Sequence, residues 1–251
     1  MGHAPSRIVR HDLMCTDPAA GGRFYAELFG WTLTEVTVMG MTITRISLGE
    51  RVLGAVMPFD RNLGFPSHWM PYMQTDSVDE TCQRVSELGG AVCMGAMDIP
   101  PGRFALTNDP TGAVFSPFTP RQLSPESPPP AAPGAFCWDE LLTPDVDAAV
   151  AFYTGLLGWS SERQPMEDGE YTVFTRDGVP AAGAMPMPAG ATFRPSWLAY
   201  IAARDVDATA ANAVRLGAKV TTRPADIPDI GRFAVLVDPT GARFGLLGTT
   251  G

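Results

Sequence analysis

The chain states one pattern twice. Phe24-Tyr25-Ala26-Glu27-Leu28-Phe29-Gly30-Trp31 returns as Phe152-Tyr153-Thr154-Gly155-Leu156-Leu157-Gly158-Trp159, 128 residues further on. Pro66-Ser67 with Trp69 returns as Pro195-Ser196 with Trp197, and Leu88-Gly89 as Leu216-Gly217. Gly102-Arg103-Phe104-Ala105 returns as Gly231-Arg232-Phe233-Ala234, and Asp109-Pro110-Thr111-Gly112 as Asp238-Pro239-Thr240-Gly241. Matches in one order over nearly the whole length mark a tandem duplication. Both copies must therefore fold to one design, and every candidate functional residue has a counterpart to be judged against.

At 251 residues the chain fits two domains of ordinary size. The expected boundaries are residues 1–119 for the first, a proline-rich extended linker at 120–134, and 135–251 for the second. Within each copy a short strand (Val9–Cys15; Phe136–Leu142) leads through a turn containing Asp17 or Asp145 into a helix. Apolar residues three and four apart give that helix one buried face: Phe24, Leu28 and Phe29, then Val150, Phe152, Tyr153 and Leu157. Gly30 and Gly158 are its natural stops. Strands at Thr32–Val38, Met41–Leu48 and Val52–Met57 follow. A second unit has a strand at Trp69–Gln74, a helix at Val78–Leu88 and strands at Ala91–Met94, Arg103–Asn108 and Val114–Phe118. In the second copy its strand and helix lie at Trp197–Ala202 and Val206–Leu216. The reading is βαβββ four times over, an α+β chain with helices backing antiparallel-rich sheets.

Composition narrows the partners. The formal net charge is −9 and Lys219 is the single lysine, so no basic surface is available to neutralise phosphates and nucleic acid is not an expected partner. No apolar run reaches the length of a membrane span, so no membrane partner is expected. Cys15, Cys82, Cys93 and Cys137 lack paired spacing, as reduced thiols of a cytoplasmic protein would. Phosphate-binding glycine loops, a nucleophile elbow and CxxC pairs are absent.

A βαβββ module that opens on a strand, an Asp turn and "FY..LFGW", and closes with "DPTG" before a last strand, resembles the vicinal oxygen chelate superfamily: glyoxalases, bleomycin-resistance proteins and extradiol dioxygenases. The nearest type is the two-domain actinobacterial glyoxalase-like protein that often carries a hydroxylase label. The resemblance implies paired modules whose sheets form an open cup around a ligand, and in the enzymes a divalent ion held by four His, Glu or Gln side chains. It places those ligand positions at Arg10 and Trp138, at Trp69 or Met70 and Trp197 or Leu198, at Ser116 and Gly245, and near Gly54 and Gly183. None of these is a competent ligand, since a guanidinium repels a cation and an indole offers only a donor. No metal and no other cofactor is therefore expected. His11 and His68, each one residue from a ligand position, converge only if the strand register is shifted in both modules.

Strand alternation puts Arg10 with Asp12, and Trp138 with Glu140, on the inward face. Asp12 and Glu140 are the candidate general acids or bases. Glu140, with no evident base beside it, is the one whose pKa burial would raise. Alternatively, both simply hydrogen-bond nearby backbone. Trp69 and Tyr72, then Trp197 and Tyr200, are candidate ligand walls, one pair facing the cup and the other packing on helices. Arg103 with Phe104, and Arg232 with Phe233, follow proline-bearing loops and are candidate contacts to an anionic ligand.

The function these residues favour is metal-free binding of a small organic molecule, for drug sequestration or a cofactor-independent step of specialised metabolism. A metal-dependent lyase or dioxygenase using His11 and His68 is the alternative, and a scaffold with cups plugged by side chains such as Trp138 is a third. Adjacent modules, or the first and fourth, are the possible pairings, in a monomer or homodimer.

Overall fold

The computed structural model describes residues 7–38, 40–60, 62, 66–122, 132–166 and 169–249. The first module contains β1 (Ile8–Cys15), α1 (Pro18–Phe29), β2 (Thr32–Val38), β3 (Met41–Leu48) and β4 (Arg51–Pro58). The second contains β5 (His68–Gln74), α2 (Val78–Glu87), β6 (Ala91–Ile99), β7 (Gly102–Asn108) and β8 (Val114–Pro120). In the second copy the third module runs β9 (Phe136–Thr143), α3 (Val146–Leu157), β10 (Ser160–Met166), β11 (Gly169–Arg176) and β12 (Val179–Pro186). The fourth runs β13 (Ser196–Ala202), α4 (Val206–Arg215), β14 (Lys219–Ile227), β15 (Gly231–Val237) and β16 (Arg243–Thr249). The fourfold βαβββ reading holds throughout. The main difference is at β6, which continues past its expected end at Met94 to Ile99. Register shifts at Val92/Met94 and Met94/Met97 absorb the extra residues against β7.

Local chemistry explains the helix ends. The Asp17 carboxylate accepts the Ala20 N–H and Asp145 accepts that of Ala148, each a side-chain cap on an orphan donor. Gly30 and Gly158 end α1 and α3 in the left-handed region, at φ 72° and 67°, where a Cβ would be strained.

Each copy forms one eight-stranded sheet, ordered β2-β3-β4-β1-β5-β8-β7-β6 and β10-β11-β12-β9-β13-β16-β15-β14. Adjacent modules thus share a sheet. The parallel pairs that position the candidate residues are β1 with β4, setting Asp12 opposite Ala55, and β9 with β12, setting Glu140 opposite Gly183. Likewise β5 and β8 set Tyr72 opposite Ser116, and β13 and β16 set Tyr200 opposite Gly245.

The helix-side cores follow a different grouping, in two compact units. One comprises Met1–Arg10, Pro71–Glu126 and Trp138–Trp197. Its core packs Met73, Val85 and Phe115 with Leu141, Phe152, Tyr153, Phe174 and Trp197. The Trp197 indole N–H donates to the Tyr153 hydroxyl (3.0 Å), which in turn donates to the Asp109 carboxylate (3.1 Å). The other Asp109 oxygen accepts from Thr111 N–H, Thr111 hydroxyl and Ala113 N–H, closing the Asp-Pro-Thr-Gly turn.

The other unit comprises His11–Met70, Ser127–Cys137 and Leu198–Gly251. Its core joins Leu13, Phe24, Tyr25 and Trp69 to Ile201, Leu236, Phe244 and Leu246. Here Trp69 donates to Tyr25 (2.9 Å), and the Asp238 carboxylate, held by Thr240 and Ala242, neighbours that phenol. Of the expected linker, residues 123–131 lie outside the described set. Its end is built in: Gly134 N–H donates to the Ala202 carbonyl and Trp31 donates to that of Gly134. Among the described residues, no helix is long and apolar enough to cross a membrane.

Burial, reinforced by the Asp238 and Asp109 charges, raises the Tyr25 and Tyr153 pKa values well above the ordinary phenol. A phenol raised in the folded state gives stability that is intact below the unfolded value of about 10 and is lost as pH rises beyond it. The thermal midpoint should therefore fall steeply above about pH 10. In Tyr153→Phe that fall should be shallower, while stability at neutral pH drops by about 1–3 kcal/mol, because the Asp109 and Trp197 partners lose their hydroxyl. Urea unfolding across pH 7–11 reads both effects.

Candidate functional site

Alternation along each strand separates the helix-side face from the opposite, open face. It is open in facing away from the helices, although Asp12, Met70, Tyr72 and Gln74 on it are buried. On β5, Trp69 and Met73 belong to the helix-side cores, so Met70, Tyr72 and Gln74 lie on the opposite, open face. On β1, Leu13 and Cys15 are core, which leaves Arg10, Asp12 and Met14 open. On β9, Leu141 is core and Trp138, Glu140 and Leu142 are open.

In the first copy the open face carries an aromatic group. The Arg10 guanidinium lies over the Tyr72 ring, 5.6 Å from its centroid. Tyr72 meets Phe118 edge-on at 5.7 Å and Phe104 at 6.0 Å. Phe104 is paired with both Phe118 and Met97, so all three side chains leave the sheet on one side. Gly102 makes room for this group, since a Cβ there would press on the Phe118 ring. Arg10, Tyr72 and Phe104, expected as ligand contacts, are thus brought together. Asp12 is buried and accepts the Ala55 N–H at 2.7 Å, the backbone-anchoring alternative in its simplest form.

The second copy fills the equivalent space differently. Trp138 donates its indole N–H to the Tyr171 hydroxyl (2.8 Å), and Tyr171 is hydrogen-bonded to Glu140. Burial first, and the Glu140 charge second, hold the Tyr171 phenol protonated far above its usual range. Gly183 permits this, because a Cβ at that position would overlap the Tyr171 hydroxyl. Register aligns Gly183 with Ala55, since each sits opposite the strand's carboxylate, and, through the Val173–Gly183 and Arg45–Ala55 pairs, Tyr171 with Ile43. The donor to Glu140, which the sequence did not point to, is the Tyr171 phenol. Tyr200 covers Gly245 with its ring in the same manner.

Several expected contacts lie elsewhere. Trp69 and Trp197 are corrected from ligand wall to core, their indoles donating to buried tyrosines; the open-face pair is Tyr72 and Tyr200. Arg103 pairs with Asp79 at 2.8 Å and Asp98 at 2.8 Å, and Arg232 with Asp207 and Asp226. Because Asp79 and Asp207 belong to α2 and α4, both arginines face the helix side, where exposed ion pairs add little. Phe233 is half-buried on β15 in the position of Phe104. Tyr171, Gln74 and Phe118 were not singled out from the sequence. A strand glycine opposite an acid was the signal for the first; the other two gave none.

The donor set does not fit a divalent ion. Alternation selects Met70 and Leu198 over the adjacent tryptophans, so the open-face positions hold Arg10, Ala55, Met70 and Ser116, then Trp138, Gly183, Leu198 and Gly245. Ser116 spends its hydroxyl on the Ala105 carbonyl at 2.8 Å. His11 stacks on Phe136 at 4.0 Å on the helix side, while His68 lies on the other face. His68 is close to the Pro66 carbonyl and against Phe59, with burial lowering its pKa. The two imidazoles do not converge. Among the described residues, no three His, Cys, Asp or Glu side chains gather as a metal site.

Comparison with known proteins places this geometry in a family. Residues 7–116 match the Glyoxalase/Bleomycin resistance protein/Dioxygenase superfamily, and residues 135–247 match the glyoxalase-like domain. "Putative glyoxylase CFP32" of Mycobacterium tuberculosis is 36% identical over 94% of this chain and 92% of its own length. Anthracycline biosynthesis protein DnrV of Streptomyces peucetius is 34% identical over 97% and 94%. The chain belongs to the glyoxalase/bleomycin resistance/dioxygenase superfamily, also called the vicinal oxygen chelate superfamily, as a tandem two-domain member. The Mn(II)-bound glyoxalase of Novosphingobium aromaticivorans has the same fold, with TM-score 0.67 and 17% identity over 98% of this chain and 83% of that one. So does 2,2',3-trihydroxybiphenyl 1,2-dioxygenase of Sphingomonas wittichii, with TM-score 0.69 and 12% identity over 97% and 90%.

The Tyr171–Gly183 complementarity sets a test. Gly183→Ala alone should cost about 1–3 kcal/mol from overpacking. In a Tyr171→Ile background, which reproduces the Ile43–Ala55 pair of the first copy, the same change should cost about 1 kcal/mol less. A urea-unfolding double-mutant cycle reads the coupling.

Proposed function

We propose that this chain binds a small planar organic molecule on the open face of the first domain, without a metal ion. The observation that carries this reading is the replacement of ligand chemistry by aromatic chemistry. Where metal-dependent relatives would need convergent imidazoles and carboxylates, this face presents Arg10 over Tyr72, with Phe104 and Phe118 beside them. Rings with offset or edge-on neighbours and one cation suit a flat, electron-rich ligand with an oxygen acceptor. The similarity to an anthracycline biosynthesis protein of Streptomyces supports a polycyclic aromatic as the ligand class. Asp12 and Glu140 remain the candidate acid and base should binding lead to chemistry. Both have hydrogen-bond partners within the fold, which favours binding over turnover as the primary role. In the second domain, the Trp138–Tyr171–Glu140 chain occupies the corresponding face, so one ligand per chain follows.

Isothermal titration with 2,6-dihydroxyanthraquinone, after dialysis against a chelator, tests the reading. One equivalent should bind per chain, with affinity about tenfold weaker in Tyr72→Ala or Phe104→Ala. A native mass spectrum with one divalent metal per chain, together with binding that vanishes on chelation and returns with metal, would overturn it.

A further inference from the structure

We propose that Gln74 selects the ligand by accepting a hydrogen bond from a hydroxyl or N–H on the edge of the planar molecule; this rests on the first-domain face being the binding face. Gln74 is only 3% exposed, and its side-chain oxygen has no hydrogen-bond partner among the described residues. A buried acceptor left unmatched is costly, and such a group in a native structure demands an explanation. Its position supplies one. Gln74 sits two residues beyond Tyr72 on the same face of β5, and its strand partner is Phe118. The unmatched oxygen therefore belongs to a residue beside Phe118, on the face that carries the aromatic group.

The fold itself does not require a carboxamide there. At the equivalent position of the second copy stands Ala202, paired with Leu247, and that sheet keeps the same strand order. An amide in one copy and a methyl in the other mark a difference of chemistry rather than of architecture. Burial is graded as a closable site requires. Tyr72, Gln74 and Phe118 form a buried floor, while Arg10, Met97 and Phe104 are half-exposed. Arginine and methionine have many rotamers and can swing aside to admit a flat ring. The ligand class is thus a planar hydroxy- or amino-aromatic. Its donor edge meets Gln74, and its carbonyl or ionised oxygen suits Arg10.

Paired probes isolate this contact. Wild-type protein should bind 2,6-dihydroxyanthraquinone about tenfold more tightly than 2,6-dimethoxyanthraquinone, which has the same rings but no donor. Gln74→Leu should erase that preference, bringing the affinities for the two probes to within about twofold of each other. Gln74→Ala, the second copy's residue, makes the same comparison should the leucine variant fail to fold. A preference that survives both substitutions overturns the role of Gln74 but leaves the binding face standing. Equal loss of both probes also overturns it, showing Gln74 to shape the floor only. Failure of wild-type protein to bind either probe removes the binding face and this inference together.

Discussion

The chain of hydrogen bonds from a tryptophan through a tyrosine to an aspartate organises everything else. In one unit it runs Trp197–Tyr153–Asp109. The tyrosine comes from a helix, the tryptophan from a strand of the same copy, and the aspartate from the last turn of the other copy. All are buried, so the polar groups have no water to fall back on and must be satisfied by one another. Fixing Trp197 on the helix side fixes the alternation of β13, and so which residues reach the open face. In the other unit Trp69 and Tyr25 do the same for β5. The make-up of the face opposite the helices is downstream of a buried phenol.

On that shared scaffold the two copies have diverged in a correlated way. Where the first has Arg10, Ile43 and Ala55, the second has Trp138, Tyr171 and Gly183. Removing one methyl lets a phenol into the face, and an indole and a carboxylate then satisfy its hydroxyl. The first copy keeps a cation over an aromatic ring and an unmatched amide oxygen instead. Two differently lined faces follow from a handful of side chains, with backbone topology unchanged.

Much of this was legible in the residues. Asp17, Asp145, Gly30 and Gly158 mark helix ends through local chemistry that needs no tertiary context. The repeat supplied the module count, and alternation from Arg10 put the correct side of β1 on the open face. What stayed hidden depended on partners distant in the chain. Alternation showed that Trp69 and Tyr72 oppose each other, but only the Tyr25 hydroxyl decides which one is core. Arg103 looked like an anion contact because its partner Asp79 is 24 residues away on a helix. Tyr171 was not foreseen as the donor to Glu140 because that phenol reaches the carboxylate only through the missing Cβ of Gly183. Gln74 carried no signal at all, since an isolated glutamine in a strand is unremarkable until its burial is known.

The membership of the two cores also imposes a schedule on the nascent chain. One core is complete once Trp197 has been made, since all its segments lie within the first 197 residues. The other joins Tyr25 and Trp69 to Phe244 and Leu246, so it waits for the last strand. The long-range closure that this demands comes late and carries the larger loop entropy. The apolar face of the first helix, although made earliest, is the surface that must be kept from wrong partners longest.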